Sequence, residues 1–216
     1  MEAKITQIKK DVLVASYESG ACHIGSALSC VGILVDLFYN KLGKDDVFVF
    51  SKASGVAAFY AILADTGYFP KEKLVEYLKN YPLPSKEVTG VIHSMGSLGH
   101  GLSLACGLAL GDRNRKVYVL LSDGECQEGS TMEAVLFARQ HKLDNLFVII
   151  DHNRLQALGY TDEILKIDFD FYTRNLPHCE VVVTTKGDGV DFMEDDNSWH
   201  YRNLDVDQLE ECVCQI

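Results

Sequence analysis

Two uninterrupted apolar runs stand out along the chain, Val117-Tyr118-Val119-Leu120-Leu121 and Leu146-Phe147-Val148-Ile149-Ile150. Neither alternates with polar residues, a pattern that predicts strands buried on both faces of a parallel sheet. Between them, residues 128–141 place Met132, Val135, Leu136 and Ala138 at helical spacing. Strand, helix, strand at this size predicts a parallel crossover, which brings both polar strand ends to one carboxyl edge of the sheet, where open α/β folds bind ligands. The remaining pattern alternates in the same way. Residues 5–19 predict an amphipathic helix with Ile5, Ile8, Val12 and Leu13 on one stripe, and residues 26–40 a more apolar one. A short strand is expected at 47–50, followed by a helix at 56–63 and a surface helix at 71–79. Residues 99–111, rich in glycine, alanine and leucine, predict a closely packed, buried helix. A further strand is expected at 179–184 and a terminal helix at 206–214. The expected fold class is α/β, a mainly parallel sheet flanked by helices, with residues 1–216 as a single domain and no internal repeat.

Each apolar run ends in candidate chemistry. Asp123-Gly124-Glu125 follows the first and Asp151-His152-Asn153 closes the second. An Asp carboxylate, an Asn amide oxygen and a backbone carbonyl are hard oxygen ligands of the kind magnesium takes alongside water and phosphate oxygens. Gly124 would let the backbone approach a diphosphate, and the start of the next helix offers it free N–H groups. The same residues are also common helix caps and turn formers. Spacing alone leaves both roles open.

Composition narrows the setting. The chain has 216 residues, 47% of them hydrophobic and only 4 proline, enough for a sizeable core without a disordered linker. A formal net charge of -11 argues against a nucleic-acid backbone binder. No basic segment followed by an apolar one opens the chain, and no apolar stretch is long enough to span a bilayer, so a cytoplasmic location is expected and a membrane role is not. The 7 cysteines lack CxxC spacing and are expected as reduced thiols, with Cys30, Cys106 and Cys126 in packing roles. Cys212 and Cys214 have no second ligand pair, which argues against zinc.

Beyond these strand ends, ordered blocks run over almost the whole chain. Ser122-Asp123-Gly124-Glu125-Cys126-Gln127-Glu128-Gly129, then Glu133-Ala134 and Asp151-His152-Asn153-Arg154-Leu155-Gln156, resemble the thiamine-diphosphate signature of transketolases. Phe48-Val49-Phe50-Ser51-Lys52, Gly96-Ser97-Leu98-Gly99-His100-Gly101, Lys186-Gly187-Asp188-Gly189 and Trp199-His200 are similar to further blocks of that family, in the same order. The resemblance implies a diphosphate-binding domain, with thiamine diphosphate and Mg2+ as cofactors. It implies Asp123, Asn153 and the Leu155 carbonyl as metal ligands, Gly124 beside the diphosphate, and Gly96 and Leu98 lining the cofactor. His23, in an SGHPG-like segment, and His200 correspond to substrate-handling histidines. Glu128 and Glu133 correspond to carboxylates near the subunit interface that communicate charge between sites. The family's pyrimidine-binding and C-terminal domains do not fit in this length, so the resemblance implies the N-terminal subunit of a split transketolase. The partner chain would then carry the pyrimidine domain, and the expected assembly is a heterotetramer. The reaction implied is transfer of a two-carbon ketol unit from a ketose to an aldehyde. Another thiamine carboligase or 2-oxoacid decarboxylase, and a non-catalytic scaffold, are the alternatives.

Departures from the family pattern point to an unusual sugar or sugar-derived substrate. Where the family has glycine then histidine, Ala53 and Ser54 stand. The segment Tyr81-Pro82-Leu83-Pro84 lacks a further family histidine, which His93 is a candidate to replace; for substrate handling His141, His152 and His178 are weak candidates, and His100 fits the family's glycine-rich helix start, where a structural role serves as well. Ser122 takes the place of a glycine. Residues 166–180 leave room for only a shortened α/β unit, or for none.

Overall fold

The computed structural model describes residues 1–216. Two units are distinguished, one of residues 1–41, 54–94 and 184–216, the other of residues 42–53 and 95–183.

The first unit is helical. α1 (Glu2–Ser19) buries Ile8, Val12 and Leu13 and stops at Gly20, whose φ of 74° lets its N–H turn back to the carbonyls of Ser16 and Tyr17. Glycine adopts that conformation at no steric cost. α1 packs on α2 (Ile24–Asp36), α3 (Val56–Asp65) and α4 (Leu74–Asn80). α3 is apolar all round and buried from Val56 to Ala64, as a helix without a polar face must be. The helix expected at 26–40 changes pitch at its end, where Leu37–Lys41 forms a π-helical turn. The terminal helix of this unit spans Val206–Gln215, and its start is closed by a capping box between Asp205 and Gln208.

The second unit holds the sheet. β1 (Val47–Phe50), β2 (Val117–Ser122) and β3 (Leu146–His152) run parallel, with Val117 opposite both Val47 and Leu146. A small antiparallel hairpin follows, β4 (Leu155–Gln156) with β5 (Gly159–Tyr160). β6 (Cys179–Val183) then joins the open edge of β3, giving the order β1-β2-β3-β6. Every second residue of the central strands, Val117, Val119 and Leu121 with Leu146, Val148 and Ile150, enters one core with Leu102, Ala105, Ala109, Ala134, Val135 and Ala138. The last six come from α5 (Gly101–Gly111) and α6 (Gly129–Gln140).

One expectation is corrected here and one alternative is decided. The 99–111 segment does form a helix, α5, but it is not buried all round: Gly101, Leu102, Ala105, Cys106 and Ala109 are buried, while Ser103, Gly107 and Leu110 face out. Its small residues let one stripe approach the sheet and leave the other open. The α/β unit after Leu165 takes the first of the two forms left open, shortened and not absent. α7 (Thr161–Ile164) is followed by α8 (Phe169–Asn175) and β6, so the crossover survives in a shortened form. Its edge strand is only partly covered, with Val183 66% exposed.

Gly101 and Gly107 lie on the same helix in opposite situations. A Cβ at Gly101 would fall 2.1 Å from Ser51 Oγ and 2.2 Å from Ser51 Cβ, whereas one at Gly107 meets nothing within 4 Å. Gly101→Ala should therefore lower stability by about 1–3 kcal/mol. Gly107→Ala should raise it by up to about 1 kcal/mol through helix propensity. Urea denaturation of the two variants, compared by midpoint and slope, checks the pair.

Candidate functional site

The carboxyl edge of the sheet is where the second unit concentrates its buried polar groups. The parallel ladder continues one step past β2, with the Asp123 N–H donating to the Asp151 carbonyl at 3.1 Å, so Asp123 leaves the sheet beside His152 and Asn153. Asp123 and Asn153 are each 1% exposed and Leu155 4%. The Asp123 carboxylate accepts the N–H of Gly124 at 2.8 Å on Oδ1 and that of Arg154 at 2.6 Å on Oδ2. Asn153 Oδ1 accepts the Leu155 N–H at 3.1 Å. The cap and turn roles left open from spacing are thus both realised. They do not exhaust the Asp123 carboxylate, which offers about four acceptor positions. The basic group within ion-pairing distance of Asp123 is the His152 ring, 3.3 Å away, which in turn leans on Phe169. A buried carboxylate, an amide oxygen and neighbouring carbonyls form a hard donor set that suits magnesium.

Beneath this edge two further carboxylates are buried. Asp151, fully buried, pairs with the equally buried Lys52 at 2.9 Å, a link from the end of β1 across β2 to β3. Glu125 accepts three hydrogen bonds, from Ser51 Oγ at 2.5 Å, from the Gly99 N–H at 3.2 Å and from the Ser122 N–H at 3.1 Å. These hold the loop before α5 against the turn at residues 124–127. Gly96 and Leu98 belong to that loop and are exposed. Gly99, at φ 80°, lies so close to Glu128 that an added Cβ would sit 2.8 Å from Glu128 Cβ. The turn is tied on its other side by Gln127, which donates to the carbonyls of Thr161 and Leu165, and by Tyr172, whose hydroxyl donates to the Cys126 carbonyl.

Glu128 and Glu133 are exposed at the start of α6. Glu133 lines a groove of about 340 Å³ between α5 and α6 together with Ser103, Cys106, Gly107, Ala134 and Phe137. Apolar Leu110, Met132, Leu136 and Phe137 are exposed on these two helices.

The histidines expected to handle substrate are brought together in the first unit. His23 precedes α2 with a φ of 66°, uncommon for a residue with a side chain, and its N–H donates to the His200 carbonyl at 3.1 Å. The two rings meet edge to face, 4.9 Å between centroids. Sequence reasoning missed their partners. Cys22 Sγ lies 3.1 Å from His23 Nδ1, and the fully buried Lys186 places Nζ 2.9 Å from His200 Nδ1 and 2.9 Å from Asn197 Oδ1. Lys186 was legible only as part of the Lys-Gly block. That block is held by packing: a Cβ on Gly25 would touch Lys186 Cγ at 3.2 Å, and one on Gly187 would strike the Met193 carbonyl at 2.4 Å. Ser54 is half-buried in the turn Ala53–Gly55, and His93 is exposed with Nδ1 2.7 Å from the Ser94 carbonyl oxygen.

A parallel sheet with buried polar groups gathered at its carboxyl edge defines a ligand-binding α/β protein, and comparison with known proteins makes that class specific. Residues 12–192 match the family described as "Transketolase, thiamine diphosphate binding domain". An apulose-4-phosphate transketolase subunit of Actinobacillus succinogenes is 34% identical, over 97% of this chain and 93% of its own length. Its namesake from Phocaeicola vulgatus is 33% identical over 100% and 93%. Transketolase from Leishmania mexicana superposes with a TM-score of 0.86 at 21% identity, over 98% of this chain and 40% of its own. The chain belongs to the transketolase family and carries its thiamine-diphosphate-binding domain. The alignment with the Phocaeicola protein runs over 263 positions against the 216 residues here, so that relative holds residues within the matched span that this chain does without. No helix is long and apolar enough to cross a membrane.

Burial pushes the Glu125 carboxyl above its usual 4.5, against the pull of its bonds from Ser51, Ser122 and Gly99. A carboxyl raised in this way keeps its proton longer in the folded than in the unfolded chain, so its contribution to stability falls as the pH rises from there. Glu125→Ala should cost about 3 kcal/mol or more, because it strands three donors in a buried site. The gap between wild type and variant should narrow as the pH goes from 4.5 towards neutrality, which a series of denaturant titrations reads directly.

Proposed function

We propose that residues 1–216 act as one diphosphate-binding domain, the N-terminal subunit of a cytoplasmic, thiamine-diphosphate- and magnesium-dependent enzyme that moves a two-carbon ketol unit from a ketose to an aldehyde. The observation that carries this is the emergence of Asp123 and Asn153 side by side from adjacent parallel strands, in a chain matched to the family over residues 12–192. Asp123, Asn153 and the Leu155 carbonyl would hold magnesium, which ties the diphosphate to the sheet edge and neutralises its charge. Gly96 and Leu98 would line the cofactor. A Cβ on Gly124 would meet Gln156 at an ordinary 3.5 Å, so the chain leaves room there, which suits close approach by the diphosphate. When bound, thiamine diphosphate supplies the electron sink for breaking and making the carbon–carbon bond. His23 and His200 hydrogen-bond the oxygens of the substrate and hold its protons in place.

The partner chain supplies the pyrimidine domain, and a symmetric heterotetramer is the assembly we infer. The groove beside Glu133 and the exposed apolar residues of α5 and α6 support an interface there, where Glu128 and Glu133 would communicate charge between sites.

Calorimetry with thiamine diphosphate and magnesium should show weak binding to the chain alone and tight binding in the complex. Asp123→Ala should abolish most of that affinity and Asn153→Ala less of it. Wild-type affinity in both folded variants would remove the metal assignment.

Substrate choice follows from Ser54, which cannot relay protons as an imidazole does near neutral pH. With its partner the enzyme should process xylulose 5-phosphate and ribose 5-phosphate slowly. The relatives' names make apulose 4-phosphate the first donor to try. His23→Ala and His200→Ala should lower turnover of the true donor at least tenfold, by analogy with the usual size of general acid–base contributions, and change cofactor affinity little. Fast turnover of the common pentose phosphates would sink the specialised-substrate proposal.

A further inference from the structure

His23 and His200 each have a specific group set against the same ring nitrogen. Lys186 Nζ is 2.9 Å from His200 Nδ1, and Cys22 Sγ is 3.1 Å from His23 Nδ1. An ammonium has only hydrogens to offer, so Nδ1 of His200 must accept from Lys186. The aim of Lys186 is fixed: it is fully buried, also donates to Asn197 Oδ1, and its stem is packed against Gly25. At His23 the direction follows from donor strength. A thiol sulfur is a poor acceptor and an unprotonated imidazole nitrogen a good one, so S–H donates to Nδ1. Burial raises the Cys22 thiol and keeps that hydrogen in place. A neutral imidazole that accepts at Nδ1 carries its proton on Nε2.

We propose that Cys22 and Lys186 are positioning residues that fix His23 and His200 as a matched pair of neutral imidazoles protonated on Nε2, so that both rings meet the ligand as N–H donors and not as bases. The backbone adds to the fixation. The His23 N–H is bonded to the His200 carbonyl, and Gly25 accepts the N–H of Gly187 at its carbonyl, 3.0 Å away, so the segment carrying each histidine is tied to the other. Two such donors, on rings that meet edge to face, suit a ligand bearing neighbouring acceptor oxygens, such as the carbonyl and adjacent hydroxyl of a ketose. The inference rests on the substrate role proposed for these histidines, but the tautomers are measurable with no substrate present.

The test is a long-range 1H–15N correlation on the full chain labelled with 15N-histidine. Wild type should show His23 and His200 as Nε2–H tautomers, each with an Nδ1 signal shifted upfield by an accepted hydrogen bond. In Cys22→Ala the His23 Nδ1 signal should move downfield while that of His200 stays, and Cys22→Ser, which keeps a donor, should return it. A proton on Nδ1 of either ring in wild type, or an unmoved His23 signal in Cys22→Ala, overturns the proposal. In the complexed enzyme, turnover should fall several-fold in Cys22→Ala and recover in Cys22→Ser. Unimpaired turnover in His23→Ala would instead remove the substrate role, a separate result from the nitrogen shifts.

Discussion

Burying charge beneath the carboxyl edge of the sheet is the constraint on which the second unit depends. Glu125 and Asp151 are out of water, and each must be given partners from several parts of the chain. Asp151 takes Lys52 from the end of β1, and Glu125 takes Ser51 from the same place, Ser122 from the end of β2 and Gly99 from the loop before α5. A buried pair of this kind adds little net stability over an apolar one, but losing one member is costly because the other stays buried and uncompensated. Its effect is to allow one arrangement of three strand ends and one loop. Asp123 and Asn153 inherit their positions from that arrangement.

The histidine site in the first unit relies on a different device. His23 holds a left-handed backbone conformation that disfavours side chains by roughly 1–2 kcal/mol, offset by its N–H bond to His200 and by the close packing of Gly25 on Lys186. Backbone and side chain there act together. The conformation carries the ring towards His200, and a buried lysine and a thiol decide which nitrogen of each ring bears the proton.

What was legible in the sequence was whatever repeats with the period of a helix or strand, or sits in contiguous blocks. The runs at 117–121 and 146–150, the helices of the first unit and the strand ends at Asp123 and Asn153 all follow from pattern, because burial on both faces requires continuous apolar residues and parallel crossovers bring strand ends together. The family blocks carried the cofactor. One reading of the pattern fell short for a physical reason, since small residues on 99–111 meet the sheet along one stripe only, and one was left open until a seven-residue helix, α8, proved enough to complete a shortened crossover.

Only the tertiary structure decided which distant side chains meet. Lys52 finds Asp151 from the far side of β2, Ser51 finds Glu125 from 74 positions away, and Lys186 finds His200 across a turn whose course depends on Gly187 and Met193. No local periodicity encodes such pairs, since each depends on where whole elements pack and on which buried polar group still needs a partner. Residue types and strand ends were therefore set by the chain itself, while proton positions and charge pairing were set by the fold that removed water from around them.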